Sequence, residues 1–357
     1  MEYASSPVFD PLHPLRHVGR KAVLGVVLIT IVIVYYTERY AKGVELISTL
    51  LKVSPWLIVA MLAVNTVYFV LQGGLLRGVY RSVGFNRGLL YLTSMYLGMN
   101  LVNTIAPMAG LSGSVYMMYF EKHRGLDRGD TFLINFLYYV TDYLVFLVIV
   151  LLGIGYLVWA GQSTQVIAAT SSIFAGFAIV VLVTGIVLFT HPSALHQLIH
   201  GVNRIISKLF RRKQPFIKEE SVNHFADSAL LAWSRSRSGR HHLVSSAICA
   251  LCLHLVSLLM LWLAFQTFHV HVNPQTLISG YTIATLLNIV SPTPGGIGIA
   301  EGGMTAVFVA LGIPVEQALL VALLYRTIFV WYPLVLGFLA LHFLPRLADR
   351  ERPGVYN

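Results

Sequence analysis

Apolar residues recur along this chain in long unbroken runs. Segments 22–40, 54–76, 131–160, 165–190, 243–268 and 315–344 each come close to or exceed the roughly 20 residues a helix needs to cross about 30 Å of hydrocarbon. Each is predicted to be a full membrane span. Stretches such as Ala22–Tyr36, Leu144–Leu157 and Val244–Phe265 are apolar on every face, whereas barrel strands would show about 10 residues of alternating polarity. The pattern predicts an all-α, polytopic membrane fold.

Two further apolar stretches, 89–120 and 275–312, do not fit a single crossing. As one helix the first would be about 48 Å long, too long for a bilayer. It is interrupted by Pro107, Gly110 and Gly113, and the second by Pro292, Pro294, Gly295, Gly296 and Gly298. Proline removes a backbone donor and clashes with the preceding turn, so two half-helices are predicted in each place.

Composition agrees with a membrane chain: 56% of the 357 residues are hydrophobic and 11% are charged, against roughly 25% charged in soluble proteins. The net charge of +10 does not indicate nucleic acid, because much of it lies in residues 191–242, where nine Lys and Arg face three acids. Basic loops mark the cytoplasmic side of membrane proteins. The N-terminus (Arg16, Arg20, Lys21), the 77–88 loop (Arg77, Arg81, Arg87), the 191–242 loop and the C-terminus (Arg346, Arg350, Arg352) are therefore all assigned to the cytoplasm. All four share one side only if 89–120 enters and leaves from the cytoplasm and 275–312 dips in from outside, after the Lys/Arg-free link His269–Gln275. Six full spans and two oppositely oriented re-entrant helical hairpins result, within a single membrane domain over residues 1–357. Its place is the cytoplasmic membrane, and the first helix is retained as an anchor, since no small-residue cleavage site follows it. In the 191–242 loop, Leu195, Leu198, Val202, Ile205, Ile206 and Leu209 are spaced as one face of a surface helix, suited to anionic headgroups.

The broken segments share a pattern, Asn103-x3-Pro107-x2-Gly110-x2-Gly113 and Asn288-x3-Pro292-x2-Gly295-x2-Gly298, displaced by 185 residues, and Tyr96 and Tyr281 match at the same offset. Four such coincidences would arise by chance at about one placement in 10⁵. The repeat unit is span, hairpin, span, over residues 54–160 and 243–345. With opposite orientations the two units form an inverted-topology repeat, an architecture of transporters.

Half-helices that end inside a membrane expose unpaired N–H groups and a positive dipole end, tolerated only within protein or beside a wet cavity. Such ends suit an anionic group, and a phosphate-bearing lipid headgroup fits. Glycine allows close backbone approach, and Asn288 can satisfy freed backbone groups. Ionisable residues in the apolar stretches, Asp142, Glu301 and Arg326, would each cost at least about 2.5 kcal/mol facing lipid and so are expected to face a polar interior. At the 185-residue offset Thr141 maps onto Arg326, which suggests an Asp142–Arg326 pair, structural or functional. Arg326 can instead bind a lipid phosphate. Glu301 can neutralise Arg326, carry a proton or cap backbone N–H groups. Tyr138, Tyr139 and Tyr143, around Asp142, are candidates for the cavity wall.

The run from Asn288 through Pro292-Thr-Pro-Gly-Gly-Ile-Gly-Ile-Ala-Glu301, followed by Gly312-Ile-Pro-Val, Ala318 and Tyr325-Arg326, resembles the signature of the flippase-like membrane domain found in lysylphosphatidylglycerol synthases and their stand-alone relatives. The resemblance covers roughly residues 20 to 345. It implies movement between leaflets of phospholipids or of glycolipid and polyprenyl carriers, with no cofactor. Where many members carry an acid and a base in the first motif, Leu111-Ser-Gly-Ser-Val-Tyr is neutral. The dozen or so residues after the last span are too few for an aminoacyl-transfer domain, so lysyl-lipid synthesis is not expected. Expected partners are membrane lipids, anionic or polyprenyl-linked, and not nucleic acid. A homo-oligomer and proton coupling stay open.

Cys249-x2-Cys252 with His254 imitates metal-ligand spacing but lies in an all-apolar span with no second Cys pair, so no metal site is assigned. An intramembrane lipid-phosphate enzyme, such as a polyprenyl-diphosphate phosphatase, is the main rival. The Ser234-Arg-Ser-Arg-Ser-Gly239 run suggests it superficially, but neither hairpin offers clustered carboxylates with Ser and Arg. No enzyme activity is expected. A partner subunit that only stabilises a lipid-modifying enzyme is a third reading.

Overall fold

A computed structural model describes residues 54–105, 111–122, 126–159, 219–290 and 298–350, with a few isolated positions besides. The expected spans 22–40 and 165–190, the surface helix of 195–209, and Pro107, Gly110, Pro292, Pro294 and Gly295 lie outside the described residues. Among the described residues there are nine α-helices: α1 (Pro55–Ser82), α2 (Leu89–Ile105), α3 (Leu111–Lys122), α4 (Arg128–Trp159), α5 (Glu219–Ser238), α6 (Arg240–Thr267), α7 (Pro274–Val290), α8 (Ile299–Ala310) and α9 (Val315–Arg350).

Four of them are long and apolar enough to cross a membrane: α1, α6, and the Arg128–Leu152 and Val315–Leu344 parts of α4 and α9. These match the predicted spans at 54–76, 131–160, 243–268 and 315–344. The protein is a polytopic membrane protein. Helices α2 and α7 have 17 residues each, α3 and α8 have 12, so each is at most about 26 Å long, less than the hydrocarbon thickness. They fold back on one another in pairs. Gly98 meets Tyr116 and Gly113 meets Asn103, making α2–α3 an antiparallel hairpin; Gly280 meets Phe308 and Gly303 meets Leu287, making α7–α8 another.

The internal repeat is visible in the helix boundaries. Displaced by 185 residues, both ends of α1 fall on the ends of α6 and both ends of α2 on those of α7. After the breaks the register changes: α3 and α8 begin 188 residues apart, and α4 and α9 begin 187 apart. The predicted equivalence of Gly113 with Gly298 is corrected accordingly, because Gly113 lies in the first turn of α3 while Gly298 is the N-cap of α8. Three additional residues in the second break explain the slip.

Helices α1 and α6 pack antiparallel. Ser82 at the end of α1 lies against Gly239 just before α6, Gly78 against His242 and Ser246, and Gly74 against Cys249. Ser246 donates to the Leu75 carbonyl at 3.0 Å. A methyl group at Gly78 would come within 2.8 Å of the His242 carbonyl oxygen, so the small residue is what lets the two backbones approach.

Among the described residues the apolar interior has two large cores and a small third cluster, Phe69, Leu97 and Ala340. One core joins the C-terminal part of α1 (Leu75 to Val83), the first hairpin and the start of α4 (Leu133, Leu137). The other joins Met61 near the start of α1, Phe146 and Val150 further along α4, and the second hairpin with α9. The two cores therefore occupy opposite ends of the same spans, one hairpin in each, and the middles of α1, α4 and α6 run between them.

Two expected loops are partly helical. Helix α1 continues through Arg77 and Arg81 to Ser82, since arginine is a good helix former. In the 191–242 region, residues 219–238 form α5, which docks on the start of α4. Ala229 and Ala232 are fully buried, Gly129 abuts Ser228 and Ala229, and Arg235 pairs with Asp130 and covers the Phe85 ring. Apart from Arg326, the Lys and Arg residues of the described helices gather at this end of the bundle.

Candidate functional site

Between the two cores lies a cavity of about 180 Å³ whose wall is contributed by α1, α2, α4, α6, α7 and α9. Its position is mid-span: Tyr68 and Gln72 from the middle of α1, Leu253, His254 and Ser257 from the middle of α6. The lining repeats in pairs. Tyr96 and Tyr281, and Asn103 and Asn288, face it from the two hairpins. Asn100 and Thr285, Gln72 and Ser257, and at the offset of the fourth helices Tyr138 and Tyr325, are further equivalent pairs on the wall.

The wall is dominated by phenols and amides. Gln72 is a hub, donating to the Tyr68 hydroxyl at 2.8 Å and accepting from Tyr138 at 2.6 Å. The rings of Tyr139 and Tyr143 stack with centroids 5.9 Å apart, and the Tyr139 hydroxyl sits against Asn103 and Ser114. All three tyrosines around Asp142 line the cavity. No Lys, Arg or Glu is among the lining residues; its ionisable groups besides the phenols are Asp142 and His254.

The expected Asp142–Arg326 pair does not form. Asp142 faces His254, whose Nε2 lies 3.3 Å from Oδ1, while Arg326 Nε donates to Glu301 Oε1 at 3.1 Å. The register slip is the reason. At the true offset of 187 residues Arg326 is equivalent to Tyr139, and Asp142 to Phe329, so the acid and the base occupy different levels of their helices.

At the first tip, Asn103 Oδ1 accepts the Ser112 hydroxyl at 2.9 Å and the Gly113 N–H at 2.6 Å, the latter an orphan backbone donor of α3, in the way expected of its partner Asn288. At the second tip that work falls to Glu301, whose Oε2 accepts the Gly298 N–H at 2.6 Å. Of the three roles open to Glu301, two are realised together: it caps α8 and it neutralises Arg326. Arg326 reaches on to Asn288 Oδ1 at 3.5 Å and is 6% exposed. Gly296 and Gly298 have φ of 71° and 86°, a conformation costly for other residues. Arg326 and Glu301 stand behind the cavity wall, which Asn288 forms in front of them.

Sequence reasoning missed three participants. His254 has metal-ligand spacing to the nearby cysteines in sequence, yet Cys249 packs on Gly74 and the imidazole lines the cavity. Gln72 carries no motif. Glu121, fully buried at the foot of the first hairpin, accepts from Tyr80, Tyr91 and Arg87 at 3.0, 2.7 and 3.3 Å; it directly follows the apolar stretch 89–120 and heads the polar run Glu121-Lys-His-Arg124, which gives no sign of burial.

A helical bundle built of two repeated units, antiparallel at their contact, around a polar mid-span cavity defines an integral membrane protein of internally duplicated type. The chain belongs to the Lysylphosphatidylglycerol synthase TM region family, whose profile matches residues 22–337. It is similar to a UPF0104 membrane protein of Methanocaldococcus jannaschii, 23% identical over 310 residues that cover 86% of this chain and 90% of that one. A UPF0104 membrane protein of Methanothermobacter thermautotrophicus is 33% identical over 108 residues, 30% of this chain and 32% of the relative.

Proposed function

We propose that the protein is a lipid flippase, which passes a polar headgroup between leaflets through the mid-span cavity while the acyl or prenyl chains stay in lipid. The observation that carries this reading is a polar cavity lined in equivalent pairs by both units, between two apolar cores at opposite ends of the spans. A headgroup entering from either side meets a similar wall, as alternating access requires.

In this reading α1, α4, α6 and α9 cross the bilayer together with the apolar segments 22–40 and 165–190. The hairpins α2–α3 and α7–α8 re-enter from opposite faces. The basic end of the bundle is cytoplasmic, as are both chain termini. A phosphate-bearing headgroup, phospholipid or polyprenyl phosphate, would be met by phenol and amide donors on the wall. Arg326 reaches it only if Glu301 yields part of its hold, because a phosphate is a bidentate competitor for the same guanidinium.

The test is reconstitution of the purified chain into vesicles carrying labelled anionic, zwitterionic or polyprenyl-phosphate lipids, with accessibility of the label to an external quencher as readout. Faster transbilayer movement of at least one lipid supports the reading. Arg326→Ala and Glu301→Ala are expected to abolish it in protein that still elutes as a folded species; normal movement in both removes them from the site. A lipid-phosphate enzyme would instead release phosphate from a lipid diphosphate, and a mere partner subunit would move no lipid alone.

A further inference from the structure

The two ionisable groups of the cavity that are not phenols meet across the boundary between the units. Asp142 comes from α4 of the first and His254 from α6 of the second. Nε2 of His254 lies 3.2 Å from the Asp142 main-chain oxygen and 3.3 Å from its Oδ1. A carbonyl oxygen only accepts, so Nε2 carries the hydrogen; in the neutral ring Nδ1 then accepts the Tyr281 O–H, 2.6 Å away. Asp142 Oδ1 is buried and receives no hydrogen bond, so it keeps a lone pair open to a proton beside the imidazole. The side chains are 16% and 4% exposed, and both line the cavity.

We propose that Asp142 and His254 form a proton-binding site of the cavity, read by the second hairpin through Tyr281. Its use in transport rests on the flippase reading; its existence does not. With His254 neutral and Asp142 ionised the pair carries one negative charge. A proton taken from cavity water by Oδ1 forms an O–H bond and cancels that charge. A proton taken by Nδ1 makes an imidazolium, and the Tyr281 hydroxyl must then turn from donor to acceptor, directing its hydrogen to Ser257, which lies against it, or into the cavity. Tyr281 belongs to α7, so the proton changes a hydrogen bond of the hairpin itself. The other titratable groups facing the pair are phenols: Tyr68 from α1, Tyr96 from α2, Tyr138, Tyr139 and Tyr143 from α4, and Tyr325 from α9.

Infrared difference spectra of the full chain in lipid nanodiscs, recorded between alkaline and acidic buffers, test this. A protonated-carboxyl band is expected to grow on acidification and to be lost in Asp142→Asn. In His254→Gln its midpoint should move by about one pH unit or more, because the coupled pair is replaced by a lone carboxyl. A band of unchanged amplitude in Asp142→Asn, or a midpoint that does not move in His254→Gln, overturns the proposal; the second comparison suffices if Asp142→Asn does not fold. Neither spectrum needs lipid movement. A shifted midpoint in a chain that moves no lipid would therefore remove the flippase reading and leave the proton site, and the reverse result would do the opposite.

Discussion

The two hairpins are built on one plan but keep their charges in different places. At the foot of the first, Tyr80, Arg87 and Glu121 form a buried polar cluster, with Glu121 0% exposed. The equivalent positions in the second are Phe265, Val272 and Val309, and the foot is held by the Phe265 ring against Phe308, centroids 4.9 Å apart. Phe308 is itself the equivalent of Phe120 beside Glu121. At the tips the relation is reversed. Tyr139 and Gly113 in the first stand where Arg326 and Glu301 stand in the second. The exchange is coupled: the Tyr80 hydroxyl requires an acceptor that Phe265 does not, and an arginine at mid-span requires a carboxylate that a tyrosine does not. Charge at the foot, near the basic end of the bundle, anchors a hairpin. Charge at the tip sits within reach of the cavity.

The largest effect is expected from Glu121→Val alone, which strands Arg87 and two hydroxyls in the interior and should cost about 3–5 kcal/mol of stability. The triple change Tyr80→Phe, Arg87→Val and Glu121→Val gives those three positions the residues of the second foot and, with only the Tyr91 hydroxyl left without its acceptor, should recover part of that loss. Thermal unfolding in detergent measures both, and a triple variant as unstable as the single one would break the equivalence of the two feet. Phe308→Ala should cost a comparable ~3–5 kcal/mol, with hydrogen exchange rising in α7 and α8 and not in α2 and α3.

Smaller effects belong to the tips. Glu301→Ala removes the acceptor of the Gly298 N–H and the partner of Arg326, for about 1–3 kcal/mol, and should release the first-turn amides of α8 to exchange. The least is expected from Asn103→Ala, about 1 kcal/mol for a lost cap, seen as faster exchange at Gly113. If Asn103→Ala proved the more damaging of the two, the tip of the first hairpin would be the more rigid one, contrary to the placement of charge.

Much of this was legible along the chain. Spans at 54–76, 131–160, 243–268 and 315–344 follow from run length, and the duplication follows from Asn103, Asn288, Tyr96 and Tyr281, because equivalent residues fill equivalent places in a repeat. The charge rule put the basic segments on one side, and the described ones do share one end of the bundle. Asp142, Glu301 and Arg326 stood out as ionisable groups in apolar surroundings. Pairing did not follow. A fixed offset of 185 residues puts Asp142 one residue from the position equivalent to Arg326, and a net register change of two residues at these helices is enough to undo that.

Hydrophobic run length and internal similarity are properties of the chain taken one segment at a time, so the sequence by itself determined a membrane-embedded duplicated protein with two broken segments. Which acid meets which base, that His254 belongs to the cavity and not to its neighbouring cysteines, and that Glu121 is tied to Tyr80 and Arg87 were decided only by tertiary structure. Ion pairs depend on distances of a few ångströms between helices far apart in sequence, and a shift of a single residue turns a side chain by about 100° around its helix.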